Sequence, residues 1–210
     1  WRASGRFSSG SRSEVSLEAF PSGWLDLPPV FIPSGDVMSL YPNFVSVYEG
    51  RYLEFDETWR DLCIRLGEPV RRGVKAPLMT RAMEVLGEAM GGRVELDANG
   101  RFYLRSRMGR IEMPLVAEGI RRLSCLGRLL GNGVLGDGVC LFWDEPDANL
   151  NPRLIKALAE VMLLLCLHGV RVFISTHSLF LLRELEILLM MRDFKSLGRR
   201  FFGFHRGDEG

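Results

Sequence analysis

The sequence predicts an α/β protein built on parallel strands, and three observations carry that prediction. Two short apolar runs, 139–143 and 170–175, have the length and residue types of buried strands. Between them, residues 152–168 have the length of a helix, with Asn151 placed as its N-cap and Gly169 as its stop. Strand, helix and strand in this order form the crossover unit of a parallel sheet.

Composition favours an ordinary soluble globular protein and excludes collagen-like, disulfide-scaffold and wholly disordered classes. The 27 Lys+Arg and 26 Asp+Glu leave a net charge of +1, so no global field favours nucleic acid or a membrane. Four separated cysteines without a C-x-x-C motif are typical of free thiols in a reducing compartment. The most apolar stretch, 154–167, contains Lys156 and Glu160 and is too short to span a bilayer. We therefore expect a cytoplasmic protein that does not enter the membrane.

Upstream of the crossover unit, the pattern predicts an edge segment and then several helices. Residues 1–29 are interpreted as an N-terminal strand or edge segment, partly disordered, and 30–32 as a short strand stopped by a proline. The aromatic stretch 39–52 is expected to be irregular or a short helix. Capping and periodicity predict further helices at 56–66 and 77–90.

An antiparallel meander is predicted next. Alternating runs at 93–97 and 101–104 are joined through Asn99-Gly100, which is a strong hairpin signal, and 110–115 completes three strands. We expect the meander to cover the parallel sheet, with contact to a partner protein as the alternative.

The C-terminal part reads as alternating helix and strand, with helices at 120–130 and 178–191 flanking the crossover unit. The division that follows is a helical and meander subdomain over 30–116 and a core over 117–210. Residues 201–210 are expected to form a strand and turn without a partner strand, and residue 1 is Trp rather than Met. We expect the chain to be part of a longer protein.

The chemistry is predicted at the carboxyl ends of the two parallel strands, where ligands bind in open α/β sheets. Asp144 and Glu145 follow the first strand, and His177 follows the second. An aspartate there can hold Mg²⁺, and a glutamate can deprotonate a water that attacks a γ-phosphate. Because the two strands are neighbours, His177 is expected near both carboxylates.

These motifs resemble those of a known family. Residues 142–152 look like the Walker B and D-loop of ABC-type ATPases, and closest to AAA-family proteins of the OLD/SMC-like kind. Residues 173–178 resemble the switch-histidine motif, and 116–122 resemble the signature segment. The resemblance covers about residues 30–210 and implies the P-loop NTPase fold of an ABC-type head.

The resemblance implies a role for each residue at the strand ends. Asp144 would bind Mg²⁺, Glu145 would act as the general base, and His177 would contact the γ-phosphate as a sensor. ATP and Mg²⁺ are the implied cofactors, and the implied reaction is ATP hydrolysis.

The resemblance also implies a homodimer with composite sites. Asp147 and Asn149 would form the D-loop that crosses the dimer interface. Ala117, Glu118 and Gly119 would present backbone amides at a helix N-terminus to the γ-phosphate of the partner's nucleotide. A partner protein or DNA is a further possibility in the full-length context.

One motif of such ATPases is missing from this sequence. It contains no G-x-x-x-x-G-K-[ST] segment to cradle the β- and γ-phosphates, and its lysines, Lys75, Lys156 and Lys195, follow no glycine-rich loop. We expect the phosphate cradle to lie upstream in the parent protein, and this chain alone to be inactive. The alternative is a non-catalytic dimerisation or interaction module derived from such an ATPase.

Other motif-like patterns are interpreted as chance matches. The G-x-G-x-x-G at 131–136 follows a helix rather than a strand, and the L-S-x-x-G at 123–127 lies inside a predicted helix. A Ser-His-Asp hydrolase using Ser178 or Ser175 with His177 and Asp144 lacks its nucleophile elbow, and the scattered histidines lack zinc-ligand spacing. Whether the protein serves phage defence, DNA maintenance or a toxin–antitoxin-like system stays open.

Overall fold

The computed structural model describes residues 4–6, 16–19, 27–51, 53–71, 73 and 75–203. In chain order its elements are β1 (Ser4–Arg6), β2 (Ser16–Ala19), β3 (Val30–Ile32), α1 (Val37–Leu40), α2 (Phe44–Gly50), α3 (Glu57–Gly67), α4 (Pro77–Met90), β4 (Gly92–Leu96), β5 (Phe102–Ser106), β6 (Gly109–Glu112), a 3₁₀ turn (Met113–Leu115), α5 (Glu118–Asn132), β7 (Cys140–Asp144), α6 (Pro152–Leu167), β8 (Arg171–Ser175) and α7 (Leu179–Met190).

The parallel sheet predicted from the crossover pattern is present. Its order is β3-β7-β8, and both neighbouring pairs are parallel. The helix α6 makes the crossover from β7 to β8. It begins after Asn151, because the Asn151 side chain accepts a hydrogen bond from the backbone N–H of Leu154 at 3.1 Å and so caps the helix. The α/β fold class is thereby confirmed.

The helices upstream and downstream agree with the predicted segments to within one or two residues. Asp56 caps α3 through the N–H of Thr58, and Gly91, at φ +69°, ends α4. The stretch 39–52, expected to be irregular or a short helix, contributes to two short helices, α1 and α2. In the described part of the chain, no helix has the length and apolar character needed to cross a bilayer.

The meander forms as a β4-β5-β6 antiparallel sheet, with two corrections. Its third strand ends at Glu112 rather than at residue 115, because Pro114 has no N–H to donate to a ladder and residues 113–115 close a 3₁₀ turn. The meander also packs through β4 on α4 and α5 rather than covering the parallel sheet. The local hairpin signal therefore predicted the strands but not the helices on which they pack.

Predictions for the chain termini fall mostly outside the described residues. β1 and β2 pair as a small antiparallel ribbon within 1–29, and the rest of that segment up to residue 26 is not described. Residues 201–203 are irregular, so the strand predicted from 201 does not begin there, and 204–210 lie outside the described residues.

The two faces of the parallel sheet differ. One face buries Leu141 and Trp143 of β7 in the apolar core shared with the helices. On the other face Phe31, Phe142 and Phe173 stand side by side in register across the three strands. Within the described residues they are 39%, 36% and 49% exposed, and the rings of Phe142 and Phe173 stack at 4.7 Å. The prediction of two buried strands is therefore wrong, in the described residues, for β7 at Phe142 and for the whole of β8, whose side chains are half-buried or exposed. We call these three rings the phenylalanine face.

Candidate active site

The candidate site begins where β7 and β8 end. Asp144 and Ser175 are the last residues of these strands and stand opposite each other in register. The Ser175 hydroxyl donates a hydrogen bond to the Asp144 carboxylate. Because strand side chains alternate, Asp144 shares the phenylalanine face with Phe142. The carboxylate is thus fixed at the carboxyl edge of the sheet, on its open side.

The next residue, Glu145, turns the chain sharply. Its φ of +43° lies in the left-handed region, which costs a non-glycine residue on the order of 1 kcal/mol. The backbone is held there by hydrogen bonds: its N–H donates to the carbonyl of Ser175 at 2.9 Å, and its carbonyl accepts from the N–H of Ala148 at 3.1 Å. The Nη1 of Arg122 also donates to this carbonyl, at 3.0 Å.

The predicted approach of His177 to the Glu145 carboxylate is observed. Nδ1 of His177 lies 3.2 Å from Oε1 of Glu145. The two side chains are 86% and 43% exposed, so both are accessible to a ligand above the strand ends. Asp144, Glu145 and His177 are therefore brought together at one edge of the sheet.

The loop between β7 and α6, residues 145–151, is tied to the loop after β8. The Asp147 carboxylate accepts a hydrogen bond from the Thr176 hydroxyl at 2.7 Å, and the same hydroxyl oxygen accepts from the N–H of Ser178 at 3.0 Å. Asn149 is exposed near the tip of the loop with φ +61°. Asp147 is thus an anchor of the loop, whereas Asn149 is free to face outward.

The N-terminus of α5 lies against this loop. Ala117 is the N-cap residue, and Glu118 and Gly119 open the helix, whose first N–H groups have no acceptor within the helix. Gly119 approaches the Asn149 carbonyl so closely that a Cβ would lie 2.4 Å from its oxygen. Any larger residue there would force the helix or the loop to move. The predicted signature and D-loop segments of one chain are therefore packed side by side.

From the sequence, Thr176 and Arg122 had no assigned role in this site, and Ser175 was considered only as the nucleophile of a hydrolase. Both Ser175 and Thr176 lie within the switch-histidine motif, where Ser175 ends the strand and Thr176 follows it, and this position at the end of a strand was the signal in the sequence. Arg122 is only 7% exposed on α5, and its contact to Glu145 joins residues 23 positions apart. Nothing local to Arg122 indicates that partner.

The rejected patterns do not assemble sites. In the 131–136 segment, α5 continues to Asn132 and Gly133 ends it at φ +76°, which is a helix C-terminus rather than a dinucleotide turn. The Ser178 hydroxyl accepts from the N–H of Leu181 and caps α7, while Ser175 is bonded to Asp144. Neither serine contacts His177 in a way that would form a nucleophile–base pair.

A cleft of about 220 Å³ opens away from the strand ends, at the C-terminus of α5. Arg71, Lys75 and His168 contribute to its lining. The Lys75 ammonium donates to the carbonyls of Leu130 and Gly131 at 3.1 and 2.6 Å, and burial lowers its pKa. Lys75 is therefore a cap of the helix C-terminus, where a cation complements the macrodipole.

Comparison with known proteins decides the family. Residues 64–183, more than half of the chain, match the family described as AAA domain, putative AbiEii toxin, Type IV TA system. The chain belongs to this family. The matched span includes all the candidate residues of the site, and the membership makes the chain part of a nucleotide-binding ATPase family. No curated protein matches the sequence.

Solved structures show more distant likeness. A Smc head domain with an extended coiled coil, bound to the C-terminal domain of ScpA and derived from Pyrococcus furiosus, is 13% identical with a TM-score of 0.38. That match covers 51% of this chain, which spans only 29% of the Smc head chain. The dimeric structure of MJ0796, a bacterial ABC transporter cassette, is 12% identical with a TM-score of 0.34, covering 87% of this chain and 88% of the other.

Proposed function

We propose that this chain supplies the Walker B part of a magnesium–ATP site, and that the full-length protein hydrolyses ATP in a homodimer with composite sites. The observation that carries the proposal is the convergence of Asp144, Glu145 and His177 at the carboxyl edge of a parallel sheet. Membership of the AAA domain family supports it.

The donor set at the strand ends fits Mg²⁺ rather than a metal that needs a cage of protein ligands. Among the described residues, no group of three or more His, Cys, Asp or Glu side chains could hold a metal by itself. Mg²⁺ is commonly held by one or two carboxylates together with substrate phosphates and water. Asp144 provides one such carboxylate, which the Ser175 hydroxyl orients. When bound, Mg²⁺ would neutralise charge on the β- and γ-phosphates.

Glu145 and His177 act on the reacting end of the nucleotide. The Glu145 carboxylate orients a water and accepts its proton as that water attacks the γ-phosphate. His177, 3.2 Å away and mostly exposed, reaches the γ-phosphate oxygens. The fixed turn at Glu145 holds the base in place before the nucleotide arrives.

The phosphate cradle comes from a part of the protein outside this sequence. No P-loop motif occurs in these 210 residues, while the open side of the sheet carries both Asp144 and the phenylalanine face. Parallel sheets are normally covered on both faces, usually by helices. If the helix that follows a P-loop packed on this face, its N-terminus, which binds phosphate, would lie beside Asp144.

The signature and D-loop segments form the dimer contact. Backbone N–H groups at Ala117, Glu118 and Gly119 would bind the γ-phosphate of the partner's nucleotide. The contact between Gly119 and the Asn149 carbonyl supports this, since it sets both segments next to each other on the surface that a second copy would meet. DNA or another protein is a further candidate partner of the assembled dimer.

The absence of a P-loop from this sequence favours one alternative, a non-catalytic module that dimerises through the same segments. ATP hydrolysis by the full-length protein separates the two. Glu145→Gln should abolish turnover, retain Mg·ATP and shift the protein to a stable dimer in gel filtration. The matched control is Glu84→Gln, at an exposed glutamate on α4, which should leave the rate unchanged.

An ATPase rate for Glu145→Gln equal to that of the wild type would refute the assignment of the base. A full-length protein that dimerises but neither binds nor hydrolyses ATP would establish the interaction module instead.

A further inference from the structure

We infer that Arg122 is a positioning residue that holds the peptide of Glu145 in the orientation that catalysis needs. The inference rests on the proposed role of Glu145 as the general base. It concerns how α5, the helix that begins at the signature segment, is connected to the end of β7.

The environment of Arg122 singles out its contact with Glu145. The guanidinium is buried, which is costly unless its donors are satisfied. Its Nη1 donates to the Glu145 carbonyl at 3.0 Å. The Glu118 carboxylate lies 3.9 Å from Nε, too far for a hydrogen bond, and Nε has no hydrogen-bond partner. The burial of this charge is therefore not explained by an ion pair of good geometry.

The peptide that Arg122 holds is the strained one. Glu145 has φ +43°, and its carbonyl accepts from Arg122 and from the N–H of Ala148. A charged donor makes a stronger hydrogen bond than a neutral one. Removing it would let the backbone at Glu145 relax, and a shift of this backbone would move the carboxylate that lies 3.2 Å from His177.

The preceding arginine provides a built-in comparison. Arg121 lies with its Nε 2.7 Å from the Asp36 carboxylate, and it donates to the Val116 carbonyl. It therefore ties the start of α5 to the segment after β3, not to Glu145. Loss of Arg121 removes the same charge from the same helical turn but leaves the hydrogen bond from Arg122 to Glu145 in place.

Because Arg122 lies three residues after Gly119, it also connects the predicted signature segment to the base of the same chain.

The test is a double-mutant cycle on ATP hydrolysis by the full-length protein, using Arg122→Gln, Glu145→Gln and both changes together. Arg122→Gln should lower kcat about 10- to 100-fold, as small misplacements of catalytic groups do, with KM for ATP changed by less than about threefold. In the Glu145→Gln background the same change should alter the residual single-turnover rate by less than about twofold. Arg121→Gln is the matched control and should lower kcat far less.

Two further measurements keep the inference testable if Arg122→Gln folds poorly. Arg122→Lys keeps a charged donor but lacks the planar guanidinium, so its kcat should lie between those of Arg122→Gln and the wild type. Hydrogen exchange of the 145–150 segment should rise in both Arg122 variants, because the Ala148 amide is bonded to the loosened Glu145 carbonyl, and not in Arg121→Gln.

If Arg122→Gln lowered the rate equally in the wild type and in Glu145→Gln, or changed KM alone, Arg122 would have a merely structural role. Either result would overturn the inference and leave the proposed function intact. Unchanged exchange in the 145–150 segment would overturn it as well. A wild-type protein that does not hydrolyse ATP, or a fully active Glu145→Gln variant, would overturn the inference and the proposed function together.

Discussion

Gly119 gives the sharpest test of the packing between the signature segment and the D-loop. A Cβ at this position would lie 2.4 Å from the Asn149 carbonyl oxygen and 2.8 Å from Cδ2 of Leu150. Favourable contacts between such atoms begin near 3.5 Å, so Gly119→Ala must move the helix or the loop by about 1 Å. The main obstacle is backbone, which yields less readily than the end of a side chain.

Gly131, in the same helix, is a matched control because a Cβ there meets nothing within 4 Å. Alanine gains up to about 1 kcal/mol over glycine in a helix, whereas overpacking costs typically about 1–3 kcal/mol. We therefore expect Gly119→Ala to lower the free energy of unfolding by about 1 kcal/mol net and Gly131→Ala to raise it by up to about 1 kcal/mol.

Urea unfolding followed by circular dichroism measures both variants against the wild type. For a chain of this size each kcal/mol corresponds to about 2–4 °C in Tm, so thermal melts should separate the pair by several degrees. If Gly119→Ala is as stable as Gly131→Ala, the close contact between α5 and the 145–151 loop does not exist as described.

Three further predictions concern the scaffold around the site. Asn151→Ala should lower the free energy of unfolding by about 1 kcal/mol through loss of the α6 N-cap, while Asn151→Ser should largely retain it, and an equal loss in both would contradict the cap. The hydrogen bond from the Thr58 N–H lowers the pKa of Asp56, so the ionised Asp56 side chain stabilises the fold above about pH 4 and loses this effect as the pH falls below that. Asp56→Asn should therefore lose less stability than the wild type between about pH 5 and 3. An equal loss of stability in the two proteins, measured by urea unfolding, would contradict this. Burial raises the pKa of Cys63 to about 12, so iodoacetamide at pH 8 should modify this thiol in urea but not in native buffer, as detected by mass spectrometry. Rapid modification in native buffer would contradict its burial.

The part of the fold that the sequence predicted is the part set by local patterns. The apolar runs around 139–143 and 170–175, with Asn151 and Pro152 opening the helix between them, define the crossover unit almost completely. Once β7 and β8 are parallel neighbours, their carboxyl ends must meet, and Asp144, Glu145 and His177 come together as a consequence of topology. These features need no knowledge of distant contacts.

The remaining features depend on tertiary packing. Phe142 lies within a continuous apolar run, and such a run does not reveal that one face of the sheet stays open in the described residues. The Asn99-Gly100 turn predicts a hairpin wherever that hairpin packs, so the sequence does not indicate that it packs on α4 and α5. Arg122 is a charged residue in a helix, and only the folded chain shows that it reaches the carbonyl of Glu145.

The central claim is that the ends of β7 and β8 form the Walker B part of a magnesium–ATP site. The most direct measurement is the crystal structure of the full-length Glu145→Gln variant with Mg·ATP. The proposed site predicts Mg²⁺ beside the Asp144 carboxylate, directly or through water, and the γ-phosphate in contact with His177 and the side chain at position 145. Phosphates bound elsewhere, with Asp144 and His177 in contact only with solvent, would contradict the claim.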